Sequence, residues 1–299
     1  MSSNSTGVIY IFLYCLSTAI ASVMLHHFES AYNPSIVVFF SVTVTIIWYN
    51  ALHLNNFKRI HIMLKENSSQ ILWLNIGTAI MWLTTFFSLN YLNADIFSAI
   101  FFGALPIFIL IINYFSKVKS SCFLKEVFCG VIIAIVLFLL CFNQLWKSNF
   151  SSEEFIGIGL GLTSALSGAW VIIISRHFAV IGYTATETLS QRFYGLWLSS
   201  AAIIITMTPP ISSFSFDFIP LGIGIAFLTF IVPVFFFQKG VECINPLNVS
   251  FLTPTIPLLS FGIQIQAENY QFDGIEFTLL ILLAIAIIFS QFIRRNTTN

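Results

Sequence analysis

Ten apolar runs, most of them about as long as a helix that crosses a bilayer, follow one another along this chain with short polar links between them. They lie at 7–25, 35–54, 71–91, 96–116, 127–142, 155–175, 188–208, 218–240, 245–266 and 275–293. The fifth is the shortest and can extend to Trp146; the seventh reaches full length only by including Arg192. Tyr32-Asn33-Pro34, Asn93-Ala94-Asp95 and Thr208-Pro209-Pro210 supply breaks between runs. The ninth run is uncharged and carries Pro246, Pro254 and Pro257. Pro254 and Pro257 each remove a backbone donor and push away the carbonyl one turn earlier, which predicts a helix bent or opened near its middle. Opened backbone at membrane depth survives only against protein or a water-filled cavity. The stretch therefore reads either as the kinked wall of a polar pathway or as a kink that only shapes packing.

Charge excludes most other classes. Charged residues make up 8% of the chain and hydrophobic ones 58%, against roughly 25% charged in an ordinary soluble domain. A soluble protein of this length needs more surface charge than these side chains supply. Net charge is zero and no basic block occurs, which argues against a nucleic-acid partner. The bilayer is the expected surround, and a small molecule the expected partner. Cys15, Cys122, Cys129, Cys141 and Cys243 show no paired spacing, and four lie in or beside apolar runs as small hydrophobes. His26, His27, His53, His61 and His177 lack metal-ligand spacing. No Ser-His-Asp grouping, phosphate-cradling glycine loop or paired intramembrane carboxylate is present, so neither an enzyme nor a cofactor or metal is expected. Ala19-Ile20-Ala21 has the form of a signal-peptidase site, but no Lys or Arg precedes it and the run is long for a signal core, so it is read as the first span.

Lys and Arg orient the spans. With ten spans, Lys58, Arg59, Lys65, Lys117, Lys119, Lys125, Arg176, Lys239, Arg294 and Arg295 share one side, and Lys147 alone lies on the other. Both termini are therefore expected in the cytoplasm. A multi-pass protein of a bacterial inner membrane fits this pattern. The opposite links carry Glu29, Asp95, Glu153, Glu154, Asp217, Glu268 and Asp273.

Shifting the chain by 150 positions lays the first span on the sixth: Gly7 meets Gly157, Leu16 meets Leu166, Ser17 meets Ser167, Ala19 meets Ala169, and His27-Phe28 meets His177-Phe178. At a shift of 152, Asn93 meets Asn245 and Ser98 meets Ser250. Five spans per half is odd, so the second half must sit inverted, a transporter architecture with its substrate site near mid-bilayer between the halves. The expected fold is an all-α integral membrane protein of ten transmembrane helices in two inverted five-helix repeats, 7–142 and 155–293, forming one membrane domain over 1–299.

The stretch from Gly157 to Trp170, GIGLGLTSALSGAW, followed by Ser175-Arg176, resembles the small-residue opening of the second repeat in the drug/metabolite transporter superfamily, in its EamA-like ten-helix branch. Asn93 to Phe108 is similar to that family's fourth helix, and Asn245 to Glu268 to its ninth, with Glu268 near the acid that follows it. The first half departs from the pattern, with Lys117 and Lys119 where an acid follows the fourth helix and Phe40-Ser41 opposite Arg192-Phe193. The resemblance implies secondary transport of a small metabolite by alternating access; family substrates include amino acids, drugs, nucleotide sugars and S-adenosylmethionine. An amino acid or related organic solute is the expected cargo. A membrane-embedded enzyme and a channel are the alternatives, and monomer and homodimer both stay open.

The expected site is a polar cavity between the halves, lined by the third, fourth, eighth and ninth spans with contributions from the first, sixth and seventh. Trp82, Thr85, Ser98, Trp170, Arg192, Ser250 and Thr253 are the candidate contacts, and Pro106, Pro254 and Pro257 the candidate gating kinks. Trp82, far from either end of its span, is no interfacial anchor and either stacks on a substrate or fills the core. Arg192 either holds a carboxylate or phosphate or, as its depth favours, snorkels to the cytoplasmic headgroups. Lys239, at an inner end, is expected to snorkel. Gly157, Gly161 and Ala165 recur every four residues and are expected to let helices pack closely.

Overall fold

In an apolar surround the backbone must bond within its own segment, and the runs form helices accordingly. The structure, a computed structural model, describes residues 3–28, 34–116, 123–147, 149, 151–207, 218–264 and 274–295. These are helical almost throughout, with no strand among them. The first half comprises α1 (Ser3–Phe28), α2 (Pro34–Ala51), α3 (Phe57–Glu66), α4 (Ser68–Leu89), α5 (Ala94–Phe115) and α6 (Phe123–Lys147). The second comprises α7 (Ser152–Val180), α8 (Ala185–Ser190), α9 (Tyr194–Met207), α10 (Phe218–Ile225), a π-helical turn (Ala226–Ile231), α11 (Val232–Cys243), α12 (Pro246–Leu252), α13 (Thr255–Gln264) and α14 (Gly274–Arg295). Among the described residues, six helical stretches are long and apolar enough to cross a membrane: Ser68–Leu89, Ile96–Phe115, Leu124–Lys147, Ser152–Val180, Ile219–Cys243 and Pro246–Ile263. Shorter apolar helices lie at Ser5–Ala21, Ser35–Ala51 and Gly274–Ala286.

Three runs depart from single continuous helices. The seventh is broken: α8 ends at Ser190, α9 begins at Tyr194, and Arg192 sits in the gap, not one turn inside a helix. The eighth contains the π-helical turn, in which the amide of Val232 donates to the carbonyl of Phe227, five residues back. Pro233 follows at once; it lacks the amide that the Thr229 carbonyl would receive in a regular helix, so the ladder changes register there. The ninth is cut at Thr253-Pro254. α5, by contrast, continues through the buried Pro106. A link expected to be short and polar forms α3, which buries Ile60 and Met63 one turn apart and exposes Lys58, Arg59, His61 and Lys65. Met63 packs there with Leu74, Ile174 and Phe178. Lys117, Lys119, Glu268 and the Thr208-Pro209-Pro210 break lie outside the described residues, as does Cys122.

The helices pack in two interlocked sets. α1 lies along α11, and α4 along α7; α1 also touches α13, and α7 touches α5; α2 lies against α9, and α6 against α14. The closest approaches use glycine. A Cβ on Gly7 would stand 2.6 Å from Cγ2 of Ile244, and one on Gly157 2.8 Å from Cγ of Leu92, separations that no side chain tolerates without the helices moving apart. The Ser88 hydroxyl donates to the Gly157 carbonyl at 2.7 Å across the second contact. Lys147 Nζ lies 3.5 Å from a carboxylate oxygen of Glu276, joining the end of α6 to the start of α14.

Candidate functional site

Two helix interruptions have to satisfy the backbone groups they expose, and they do so differently. In the ninth run, Pro254 cannot donate to the Ser250 carbonyl and Pro257 cannot donate to that of Thr253. The Thr253 hydroxyl donates to the Ser250 carbonyl at 3.2 Å instead, the amide of Ile256 donates to the Thr253 carbonyl at 2.9 Å, and the Thr255 hydroxyl donates to that of Leu252 at 2.9 Å. The Ser250 hydroxyl likewise donates to the Leu247 carbonyl at 2.9 Å. Ser250, Thr253, Pro254 and Pro257 are all buried. The break is repaired mainly from within its own run, with the Cys15 thiol of α1 adding a contact at 3.8 Å to the Leu252 carbonyl.

The break between α8 and α9 is repaired from outside. Asn75 of α4 donates from Nδ2 to the Gln191 carbonyl at 2.6 Å, and its Oδ1 accepts from the Gly195 amide at 2.8 Å. Asn50 of α2 adds a donor to the Ser190 carbonyl at 3.4 Å. Glu187 takes no part, because its carboxylate accepts from the amide and hydroxyl of Thr184 at 2.8 and 3.0 Å, as in a capping box, and pairs with Arg59 at 2.6 Å. With the break held by other side chains, Arg192 is left for other contacts.

Arg192 lines a cavity of about 130 Å³ enclosed by α1, α4, α5, α7, the π-helical turn and α11. Its lining on α5 begins at Ala94, the first residue of that helix, and reaches Leu105, a length of about 16 Å at the helical rise. Leu89, the last residue of α4, lines the same end. The cavity thus starts at one end of the bundle and reaches to about half the roughly 30 Å of a hydrocarbon layer. At its other end lie Arg192, Thr229 and Pro233. Below them, Arg176 of α7 donates from Nη1 to the carbonyls of Val241 and Glu242 at 3.0 and 2.6 Å and ties α7 to the end of α11.

The walls are largely aromatic. Trp82 stacks on Phe86 at 5.8 Å between centroids and meets Phe230 at 4.5 Å. Tyr14 packs on Phe237 at 4.8 Å, and Phe101 meets Phe102 edge-on at 4.7 Å. Three polar atoms in the wall have no hydrogen-bond partner in the protein: Nε1 of Trp82, Nη1 of Arg192 and the hydroxyl of Thr18, all on side chains that line the cavity. Arg192 is 2% exposed. Its Nε donates to the Thr78 hydroxyl at 3.2 Å, and its guanidinium stands 5.6 Å from the centroid of the Phe193 ring. Burying a charge costs several kcal/mol, while one hydrogen bond to it returns about 1.5–3 kcal/mol and a ring contact about 0.5–2 kcal/mol. The protein leaves this cation only partly compensated, and among the described residues no Asp or Glu lines the cavity.

Of the residues expected from the sequence, Trp82, Thr85, Ser98 and Arg192 come together on this wall. The Thr85 hydroxyl is already engaged by the Met81 carbonyl and Ser164, both at 2.8 Å. The snorkelling reading of Arg192 is corrected: the side chain is enclosed and reaches no surface. Trp170 does not line the cavity; it is half-exposed on the outer side of α7 and meets Trp73 edge-on at 6.4 Å. Ser250 and Thr253 do not line it either, since their hydroxyls serve the proline break. No residue of the ninth run lines the cavity, and Pro106, Pro254 and Pro257 lie off its wall. Lys239 is only partly exposed and pairs with Glu242 at 2.8 Å. Tyr14, Thr18 and Thr229 were not expected on the wall. Thr229 has a sequence signal, standing four residues before Pro233, where the helix ladder must change.

No protein-family model matches the chain, and no curated protein matches it in sequence. Its fold is similar to that of a solved protein described only as "Crystal structure of protein", with a TM-score of 0.64 over 96% of this chain and 95% of the other, at 16% identity. The likeness extends over nearly the full length of both chains, and at that identity it concerns the fold alone.

Proposed function

We propose that this chain is a secondary transporter that moves a small metabolite across a membrane by alternating access, of the drug/metabolite transporter kind. The observation that carries the reading is the cavity that starts at one end of the helices and stops midway at Arg192. Three irregular features sit around that midpoint: the α8–α9 break, the π-helical turn and Pro233. Irregular backbone at that depth is tolerated beside protein or a wet cavity, and transporters place their sites at such interruptions. A channel would need a path through the far end, where Arg176 ties α7 to α11.

Ten spans in two inverted halves are part of the proposal. The packing supports it, because α1 on α11 and α4 on α7 are the same pairing when each half is exchanged for the other. Gly7 against Ile244 and Gly157 against Leu92 repeat that exchange residue by residue. Asn93 and Asn245 both precede a helix in extended conformation, with φ, ψ of −62°, 150° and −63°, 142°. The cavity then opens to the outside, with both termini cytoplasmic in a bacterial inner membrane.

Two measurements test this. Purified protein in liposomes is expected to give saturable counterflow of at least one solute from a library of organic acids, amino acids and neutral metabolites; protein-dependent flux that never saturates, or none, defeats the reading. A thiol introduced at Ser151 is expected to react with an impermeant reagent added outside cells, and one at Thr297 is not. The reverse labelling would sink the orientation.

A further inference from the structure

We propose that the cavity selects a small monocarboxylate with a body about the size of one aromatic ring, and that Arg192 and Trp82 receive its carboxylate; only the step after binding rests on the transport reading. Arg192 is buried with a donor that no protein acceptor takes, and Trp82 is a second such donor on the same wall. No acidic side chain is among the described residues that line it. Buried donors without a counter-charge describe a receptor for an anion: a cation is repelled, and a neutral solute leaves the guanidinium uncompensated. The planar, forked guanidinium suits the two oxygens of a carboxylate.

Size narrows the class. The cavity measures about 130 Å³, a little less than the roughly 150 Å³ of a dry cavity that holds one benzene, so with the carboxylate at Arg192 a single ring fills the cavity and reaches towards its open end. A nucleotide sugar exceeds that. Tyr14, Phe101 and Phe237 supply apolar ring surface for the body of the ligand. An amino acid of the same size has to bury its ammonium where no described lining residue is negative, so the bare acid is expected to bind better than the amino acid with the same ring.

The test is equilibrium binding and ligand-induced thermal stabilisation of the purified full-length chain with four matched probes: phenylacetate, phenylacetamide, phenethylamine and phenylalanine. Phenylacetate is expected to bind saturably and raise the unfolding temperature, phenylalanine to bind more weakly, and the amide and amine not to bind. Arg192→Gln is expected to weaken phenylacetate binding by about tenfold or more, a loss of one charge-assisted contact, with partial recovery in Arg192→Lys. Trp82→Phe, which keeps the ring and loses the N–H, is expected to weaken it several-fold. The acid–amide comparison is made on the unaltered chain and decides the matter even if the Arg192 variants do not fold. Equal binding of acid and amide, tighter binding of phenylalanine, or no binding of phenylacetate overturns the proposal. Phenylacetate binding without counterflow of any library solute in liposomes supports the anion site and removes transport; saturable counterflow of other solutes without phenylacetate binding overturns the anion site and keeps transport.

Discussion

The break at Pro254 and the break at Arg192 look like opposites in sequence and exchange roles in the fold. The first is announced by two prolines in an uncharged run. Yet its carbonyls are repaired mainly by Thr253, Thr255 and the Ile256 amide of its own run, it is buried, and it does not line the cavity that holds Arg192. The second contains no proline, and its only mark is one Arg in an apolar run. Its carbonyls are repaired by Asn75 and Asn50 from other helices, and its own side chain is released to the cavity wall. Where the repair comes from decides what the break can do. A self-repaired kink spends its polar side chains on its own backbone; a kink repaired by its neighbours keeps them for a ligand.

The sharpest way to break this contrast is Asn75→Leu. It removes the partners of the Gln191 carbonyl and the Gly195 amide together, and two buried groups left unsatisfied at about 1–3 kcal/mol each add to about 2–6 kcal/mol. Folded yield in detergent is expected to fall steeply, with the residual protein losing ligand binding as Arg192 shifts. Wild-type yield and binding would show that Asn75 does not hold the break. Gly195→Ala comes next. Its new Cβ would lie 2.8 Å from the Asn75 carbonyl oxygen, a backbone atom that cannot swing aside, so a loss of about 1–3 kcal/mol is expected. Gly262→Ala, in the other broken run, meets nothing within 4 Å and is expected to leave the unfolding midpoint in place. Equal midpoints for the two alanine variants would refute the contrast.

Thr253→Val sharpens the comparison from the other side. It strips the donor that satisfies the Ser250 carbonyl, at a cost of about 1–3 kcal/mol, and is expected to leave the affinity for a cavity ligand unchanged within twofold. A larger drop in affinity at normal folded yield would return the proline break to the site. Thr78→Val has a small expected effect on stability, about 1 kcal/mol, because Arg192 loses one acceptor. It is expected to change ligand affinity more than Thr253→Val does, and the reverse order would show that Thr78 does not orient the guanidinium.

Much of the architecture was legible beforehand. The apolar runs matched helices closely at α2, α4, α5 and α14, because each run had to bond within itself. Helix interruption at Pro254 was legible too, since a missing amide is a property of the residue. The meaning of that interruption was not legible, nor the absence of Ser250 from the wall that holds Ser98, its partner in the shifted alignment. Hydroxyls at both positions are the same chemistry in sequence; one is used up by a local carbonyl.

Apolar runs and proline positions determined by themselves that this chain is helical, with stretches long and apolar enough to cross a membrane, because solvation of the backbone is decided residue by residue. Which side chains share a cavity was decided only by packing. Arg192 had to choose between water and the interior, and that choice depended on Asn75 and Thr78, more than a hundred residues earlier, and on Gly195 allowing α9 to lie against α4. Trp170 and Trp82 were equal candidates until α7 turned one towards Trp73 on its outer side and α4 turned the other inward. Rotation about a helix axis costs nothing in an isolated helix. It acquires a preferred value only when the neighbouring helices dock.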